Sequence, residues 1–186
     1  MPTHSQQWAI QEINFPEWQP QPVVGGGAVF SACGLYRYRL WRIWNPNLPM
    51  VFWLMHNPST AGHTANDPTL RRCISFTKSW GYGGLYAGNL FPYRATNPAD
   101  LAGKPLTILA PLCNQLHIEQ MAALCTLHIA AFGNTVMKVP TPQLSGVQWH
   151  CLKTTKAGNP CHPLYIHAAE TPKLFTPNLP DEINQP

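Results

Sequence analysis

The chain reads as an α/β protein, a three-layer sandwich in which helices flank a central, mostly parallel sheet. Three observations predict it. The apolar run Met50-Val51-Phe52-Trp53-Leu54-Met55 stops in His56-Asn57-Pro58-Ser59-Thr60, as a strand covered on both faces stops on reaching a sheet edge. A helical pattern over 67–80 comes next, and two further apolar runs, Gly84 to Asn89 and Leu127 to Phe132, also end in polar or glycine residues. Strands alternating with helices in this way build parallel sheets, whose ligand sites lie beyond the carboxyl ends of the strands.

In chain order, residues 1–34 hold Pro2, Pro16, Pro20, Pro22 and the run Gly25-Gly26-Gly27. They predict an irregular arm, packed down by Trp8, Phe15 and Trp18. Leu35 to Trp44 alternates in part with a period of two and predicts an antiparallel strand whose arginines, Arg37, Arg39 and Arg42, make a basic solvent face. Over 67–80, Asp67 stands at the cap and Pro68 at the first helical position. Leu70, Cys73, Ile74, Thr77 and Trp80 recur at three-to-four spacing, and Gly81 ends the helix. A longer helix is expected over about 105–124, with Leu109, Leu112, Leu116 and Leu124 on one face. After Glu170, Pro172, Pro177, Pro180 and Pro186 interrupt any helix. The expected organisation is therefore an arm (1–34), one α/β domain (35–170) and a proline-rich tail (171–186).

Composition narrows the class. At 186 residues and 45% hydrophobic content, one substantial core is expected and a second domain is not. A formal charge of +4 on a chain only 11% charged permits a polyanionic partner without demanding one. The six cysteines include no C-x-x-C pair, which fits reduced thiols in a cytoplasm. No apolar run approaches the roughly 18 residues of a membrane span, so no membrane partner is expected. His150-Cys151 and Cys161-His162 lack the short spacings of zinc knuckles, and neither a metal nor a cofactor is expected.

The candidate site residues cluster at the strand ends. In Asn57-Pro58-Ser59-Thr60, backbone N–H groups and the hydroxyls of Ser59 and Thr60 can cradle a phosphate or carbonyl oxygen, and the Asn57 amide both donates and accepts. An amide can place a water but is no useful base, and the same four residues also suit a plain turn. Asp67 is the acidic residue nearest this element. It can activate water, or simply cap its helix. Arg71, Arg72 and Lys156 can reach phosphates. Asn89 can read the amide-like edge of a base, Phe91 and Tyr93 offer faces for stacking, and Arg94 can hold an anion. His162, between Pro160 and Pro163, can donate to a developing negative charge.

Several blocks together carry a resemblance: Asn57-Pro58-Ser59-Thr60-Ala61, Asp67-Pro68-Thr69-Leu70-Arg71-Arg72-Cys73, Trp80-Gly81-Tyr82-Gly83-Gly84, Asn89-Leu90-Phe91, Arg94-Ala95-Thr96-Asn97-Pro98, and Thr155-Lys156-Ala157-Gly158 through His162-Pro163-Leu164-Tyr165. Over about 35–167 the chain resembles the bacterial domain-of-unknown-function 1643 family, with Phe132-Gly133 where Trp-Gly is expected. The order of blocks is also similar, more distantly, to the uracil-DNA glycosylase superfamily. That similarity implies a uracil-DNA glycosylase-like fold. It implies a water-positioning role for Asn57, base reading for Asn89, and stabilisation of the departing base by His162. The chain departs from that pattern at His56, where a Gly-x pair usually precedes, and at Leu164-Tyr165, where Ser-Pro usually follows.

The functional expectation is a nucleobase-recognising protein, a DNA glycosylase-like hydrolase acting on a modified or non-standard base extruded from its stack. The alternative is a nucleotide or nucleic-acid binding module of the same fold that leaves the glycosidic bond intact. A third reading is an enzyme acting on a free nucleotide or small amide. The first requires Asn57, Asn89 and His162 to face one pocket.

Overall fold

The computed structural model describes residues 24–134, 142, 144 and 146–177. The expectations for residues 1–23, including packing by Trp8, Phe15 and Trp18, and for residues 178–186 lie outside the described residues. Within them run β1 (Gly25–Phe30), β2 (Arg37–Ile43), β3 (Met50–Met55), α1 (Pro68–Ser79), β4 (Gly84–Asn89), α2 (Leu106–Leu109), α3 (Cys113–Ala122), β5 (Leu127–Ala130), β6 (Trp149–Cys151) and β7 (Lys173–Leu174). Short 3-10 turns lie at Pro98–Leu101 and Pro163–Tyr165.

The described strands form one sheet in the order β1-β2-β4-β3-β5-β6-β7. Its centre, β4-β3-β5-β6, is parallel. Antiparallel strands flank it: β2 and β1 on one side, β7 on the other. Every residue of β3 and β4 is buried, which explains why both read as unbroken runs without alternation. The period of two is still present in where each side chain goes. Val51, Trp53 and Met55 join Leu70, Cys73 and Phe76 of α1 in one apolar cluster. Phe52 and Leu54 join Ile118 and Met121 of α3 in the other. The two helices therefore cover opposite faces of the sheet.

α1 begins and ends as its sequence dictates. The Asp67 carboxylate accepts from the Leu70 N–H at 2.7 Å and Pro68 needs no partner at the first position. Gly81, at φ +80°, turns the chain away. The buried Thr77 hydroxyl takes the Trp53 indole N–H at 3.1 Å, so the α1 layer closes without an unpaired polar group on that tryptophan.

Four expectations are corrected. First, the glycine run of the arm is strand β1, because Gly27 lies opposite Trp41. A Cβ there would stand 2.2 Å from the indole ring, so the glycine admits the tryptophan. Likewise, β7 places two residues of the tail in the sheet. Second, the strand at 35–44 has no basic solvent face: Arg37, Arg39 and Arg42 are all buried. β2 lies inside the sheet, and its register against β1 shifts at Val29/Phe30. This irregularity lets Arg37 and Arg39, two residues apart, leave by opposite faces. Arg37 donates to the Ala61 carbonyl on the α1 side at 2.7 Å, whereas Arg39 donates to His117 of α3 at 2.6 Å.

Third, the helix expected over 105–124 is two, α2 and α3, parted at Pro111. Fourth, that break rotates the buried face. Leu112 is 95% exposed and Leu116 is exposed too, while Asn114, His117, Ile118, Met121 and Ala122 turn inward. Among the described residues no helix is long and apolar enough to cross a membrane.

Candidate functional site

β3 and β4 run in register, with Met55 beside Asn89, so His56-Asn57 and Asn89 leave the sheet side by side at its carboxyl end. The Leu90 and Phe91 N–H groups donate to the Met55 and His56 carbonyls and carry the pairing past the strands. Beyond this edge opens a cavity of about 590 Å3, a volume suited to a small organic ligand. Asn57, Ser59, Asp67, Asn89 and His162 all line it. The three residues required to face one pocket do so.

His162 comes to the cavity from far along the chain. Gly133, just past β5, donates to the Pro160 carbonyl at 2.8 Å, and Asn134 Oδ1 accepts from Thr155 Oγ1 and Asn159 Nδ2. Gly133 has φ +72°, and a Cβ there would sit 3.6 Å from that of His162. His162 then starts the 3-10 turn, with Pro163 at its first position, and Nδ1 accepts from the Leu164 N–H at 3.5 Å.

Each polar group here is held differently. The Asn57 amide nitrogen donates to the Ala95 carbonyl at 2.7 Å and to the Pro58 carbonyl at 3.1 Å, and its Oδ1 lies 2.9 Å from His56 Nδ1. That amide is therefore largely consumed by the protein. Asn89, 2% exposed, has Oδ1 accepting from Arg37 Nη2 at 3.4 Å, while its Nδ2 has no partner. One oxygen of Asp67 caps α1, which leaves the other for the cavity.

Arg37, expected on a basic solvent face, and His56, not among the expected site residues, also line the cavity. Arg37 is 5% exposed and its Nε is unpaired. Burial pushes this guanidinium down to about 10, with the Asp67 charge opposing the shift. His56 is 7% exposed, its Nε2 is unpaired, and burial lowers its proton affinity. Burial lowers that of His162 as well, against the pull of Asp67. The signal for His56 was in plain view as the residue preceding Asn57 at a strand end. Arg37 carried no signal, since only the register shift turns it inward.

The remaining expected residues lie elsewhere. Phe91 is fully buried behind His56, edge to face at 5.2 Å, and offers no surface for stacking. Thr60, Tyr93, Arg94, Arg71, Arg72 and Lys156 lie outside the cavity lining. Tyr93 packs against Tyr36, with Lys104 over its ring. Arg94 donates to the Gly34 carbonyl and lies over Phe30. Arg71 donates to the Asn66 carbonyl; Arg72 donates to the Ile166 carbonyl and lies over Phe76. Lys156 is exposed. Arg37, Arg39 and Arg42 are buried and offer no charge to a nucleic-acid backbone, whereas Arg71, Arg94 and Lys156 are exposed.

Among the described residues no three His, Cys, Asp or Glu side chains converge as metal ligands. No curated protein and no solved structure matches the chain. The family described as protein of unknown function (DUF1643) matches residues 37–164, a span that runs from Arg37 at the cavity floor to the turn behind His162. The chain belongs to the DUF1643 family.

Proposed function

We propose that the chain is a nucleobase-recognising hydrolase that cleaves an N-glycosidic bond, with a glycosylase-like division of labour around the cavity. The observation that carries this reading is the meeting of Asn89, His162 and Asp67 at one sheet edge, with the Asn89 amide nitrogen buried and unpaired. A ligand oxygen that accepts from Asn89 Nδ2 removes an unpaired buried donor worth roughly 1–3 kcal/mol. Because Oδ1 is already turned to Arg37, Asn89 offers the ligand a donor, and the neighbouring cation strengthens it.

In this scheme Asn89 holds the base through a carbonyl oxygen. As the bond to the sugar breaks, that oxygen gains negative charge, and His162 donates to the departing base. The carboxylate of Asp67 stabilises the positive charge that develops on the sugar. The resemblance in block order to the uracil-DNA glycosylase superfamily supports the assignments of Asn89 and His162 and a fold of that type.

Incubation with single- and double-stranded DNA carrying uracil and other modified bases, followed by detection of free base and abasic sites, tests the reading. Release that disappears in Asn89→Ala is expected; no release of any tested base sinks it. A binding module without cleavage is the second reading, favoured by one observation: the Asn57 amide, the water-positioning group of the resemblance, is engaged by His56, Pro58 and Ala95. Retention of a nucleoside or oligonucleotide with no bond broken would select it.

A further inference from the structure

We propose that His56 is the proton acceptor of the cavity, its Nε2 taking the proton of the water that attacks the sugar carbon. This role rests on the hydrolase reading. Asn57 fixes the tautomer of this ring. Its two partners at 2.7 and 3.1 Å, Ala95 O and Pro58 O, are carbonyl oxygens that can only accept, so the amide nitrogen must face them. Oδ1 is thereby turned to His56 Nδ1 at 2.9 Å. An amide oxygen cannot donate, so the imidazole proton resides on Nδ1. The bare lone pair is then on Nε2, which is buried and unpaired, in a residue that lines the cavity.

The ring cannot easily swing away. Phe91 packs against it edge to face at 83°, and turning the imidazole over would put a carbon in place of Nδ1 and lose the bond to Asn57 Oδ1. Burial also keeps it neutral, so the lone pair is present near neutral pH. Asn57 acts here as a positioning residue that sets the tautomer. His162 is set the opposite way: its Nδ1 accepts from the Leu164 N–H, which leaves the proton on Nε2. Two neutral histidines of opposite tautomer thus line one cavity, one presenting an acceptor and one a donor.

The step balances without any other reactant. The water oxygen bonds to the sugar carbon as the carbon–nitrogen bond breaks, its electron pair leaving with the base. The water proton passes to His56 Nε2 and makes an imidazolium held at Nδ1 by Asn57. The base departs as an anion hydrogen-bonded by His162, which keeps its own proton because a neutral imidazole is too weak an acid to yield it. Solvent then carries the proton from His56 to the base. Asp67 is the other basic group on the cavity; one of its oxygens accepts from the Leu70 N–H, and its carboxylate is the group assigned to the charge that develops on the sugar. The other titratable or charged groups that line the cavity with His56 are Asp67, His162, Arg37, Cys73, Cys161 and Tyr165.

Two measurements on the full chain test this. In protein labelled with 15N-histidine, long-range proton–nitrogen correlation at pH 7 should show His56 protonated at Nδ1 and bare at Nε2, the signal being assigned by its absence in His56→Gln. In Asn57→Ala the tautomers should mix. An Nε2–H tautomer or an imidazolium at pH 7 overturns the proposal whatever the activity. On single-stranded uracil-containing DNA, His56→Gln should lower kcat by about 100-fold, leave KM within about twofold, and remove the acidic limb of the kcat–pH profile. A kcat for His56→Gln close to the native value overturns the proposal. No base release by the native protein overturns the hydrolase reading and the proton transfer that rests on it, whereas a wrong tautomer in a protein that releases base overturns the role of His56 alone.

Discussion

The layer between β3 and α1 and the cavity at the end of the same strands are a few residues apart, yet their polar groups meet opposite fates. In the layer, the buried Trp53 indole finds Thr77, and Phe76 and Trp80 stack around it. At the strand ends, His56 Nε2, Asn89 Nδ2 and Arg37 Nε are buried with no partner among the described residues. Each unpaired group of this kind costs roughly 1–3 kcal/mol. The packed layer below supplies the stability that lets such a cavity persist, and a ligand that pairs these groups recovers part of the loss.

The largest expected effect lies in the packed layer. Phe76→Ala removes a fully buried ring and should cost about 3–5 kcal/mol of folding free energy, read from the denaturant midpoint. The fraction still folded should bind its ligand normally; a cost under about 1 kcal/mol would mean the layer is not the stabilising element.

Acid is the next probe. Burial holds His56, His128 and His162 below the ordinary histidine value of 6.5 and pushes His117 down to about 4, with Arg39 adding to the last shift. For a histidine whose folded value is depressed, the stabilisation is complete above the unfolded value and is lost as pH falls toward the folded one. Stability should therefore be level above about pH 7 and fall between about 6.5 and 4, by on the order of 3 kcal/mol from His117 alone. Denaturation midpoints across that range check it, and His117→Gln should remove most of the decline. A flat profile would show that burial of these rings costs nothing.

A smaller effect is expected where the cavity loop meets the sheet. Gly133→Ala forces a side chain onto φ +72° and should cost about 1–2 kcal/mol. Because that residue packs beside His162, ligand affinity should fall as well. Titration calorimetry beside thermal melts separates the two. Unchanged affinity would free His162 from that turn.

The smallest stability change should come from Arg37→Met, which removes a buried cation without a directly bonded carboxylate. Stability should stay within about 1 kcal/mol of native, while affinity for a nucleobase ligand falls at least tenfold as Asn89 loses the charge behind its amide. A large destabilisation would place Arg37 with the packed layer instead.

Much of this was legible in the chain. Met50 to Met55 and Gly84 to Asn89 announce buried strands because burial on both faces leaves no alternation to obscure them. Asp67-Pro68 announces a helix start because a cap is a local arrangement. Asn57, Asn89 and His162 could be named because strand ends and prolines mark where side chains leave the fold. What misled was non-local. The glycines of β1 read as a loop because their reason lies across the sheet in the ring of Trp41. The arginines of β2 read as solvent-facing because a period of two cannot foresee a register shift against another strand. The leucines at 112 and 116 read as a core face because a helix was run through Pro111.

The sequence by itself determined which segments are buried and which strand ends carry polar groups, because periodicity, caps and proline act within a few residues. Only the tertiary structure decided what those groups can do. It turned the Asn57 amide toward Ala95 and His56, set Arg37 behind Asn89, and left one nitrogen of His56 without a partner. The physical reason is that a hydrogen bond consumes a donor or a lone pair, and which ones remain for a ligand depends on contacts between residues far apart in the chain.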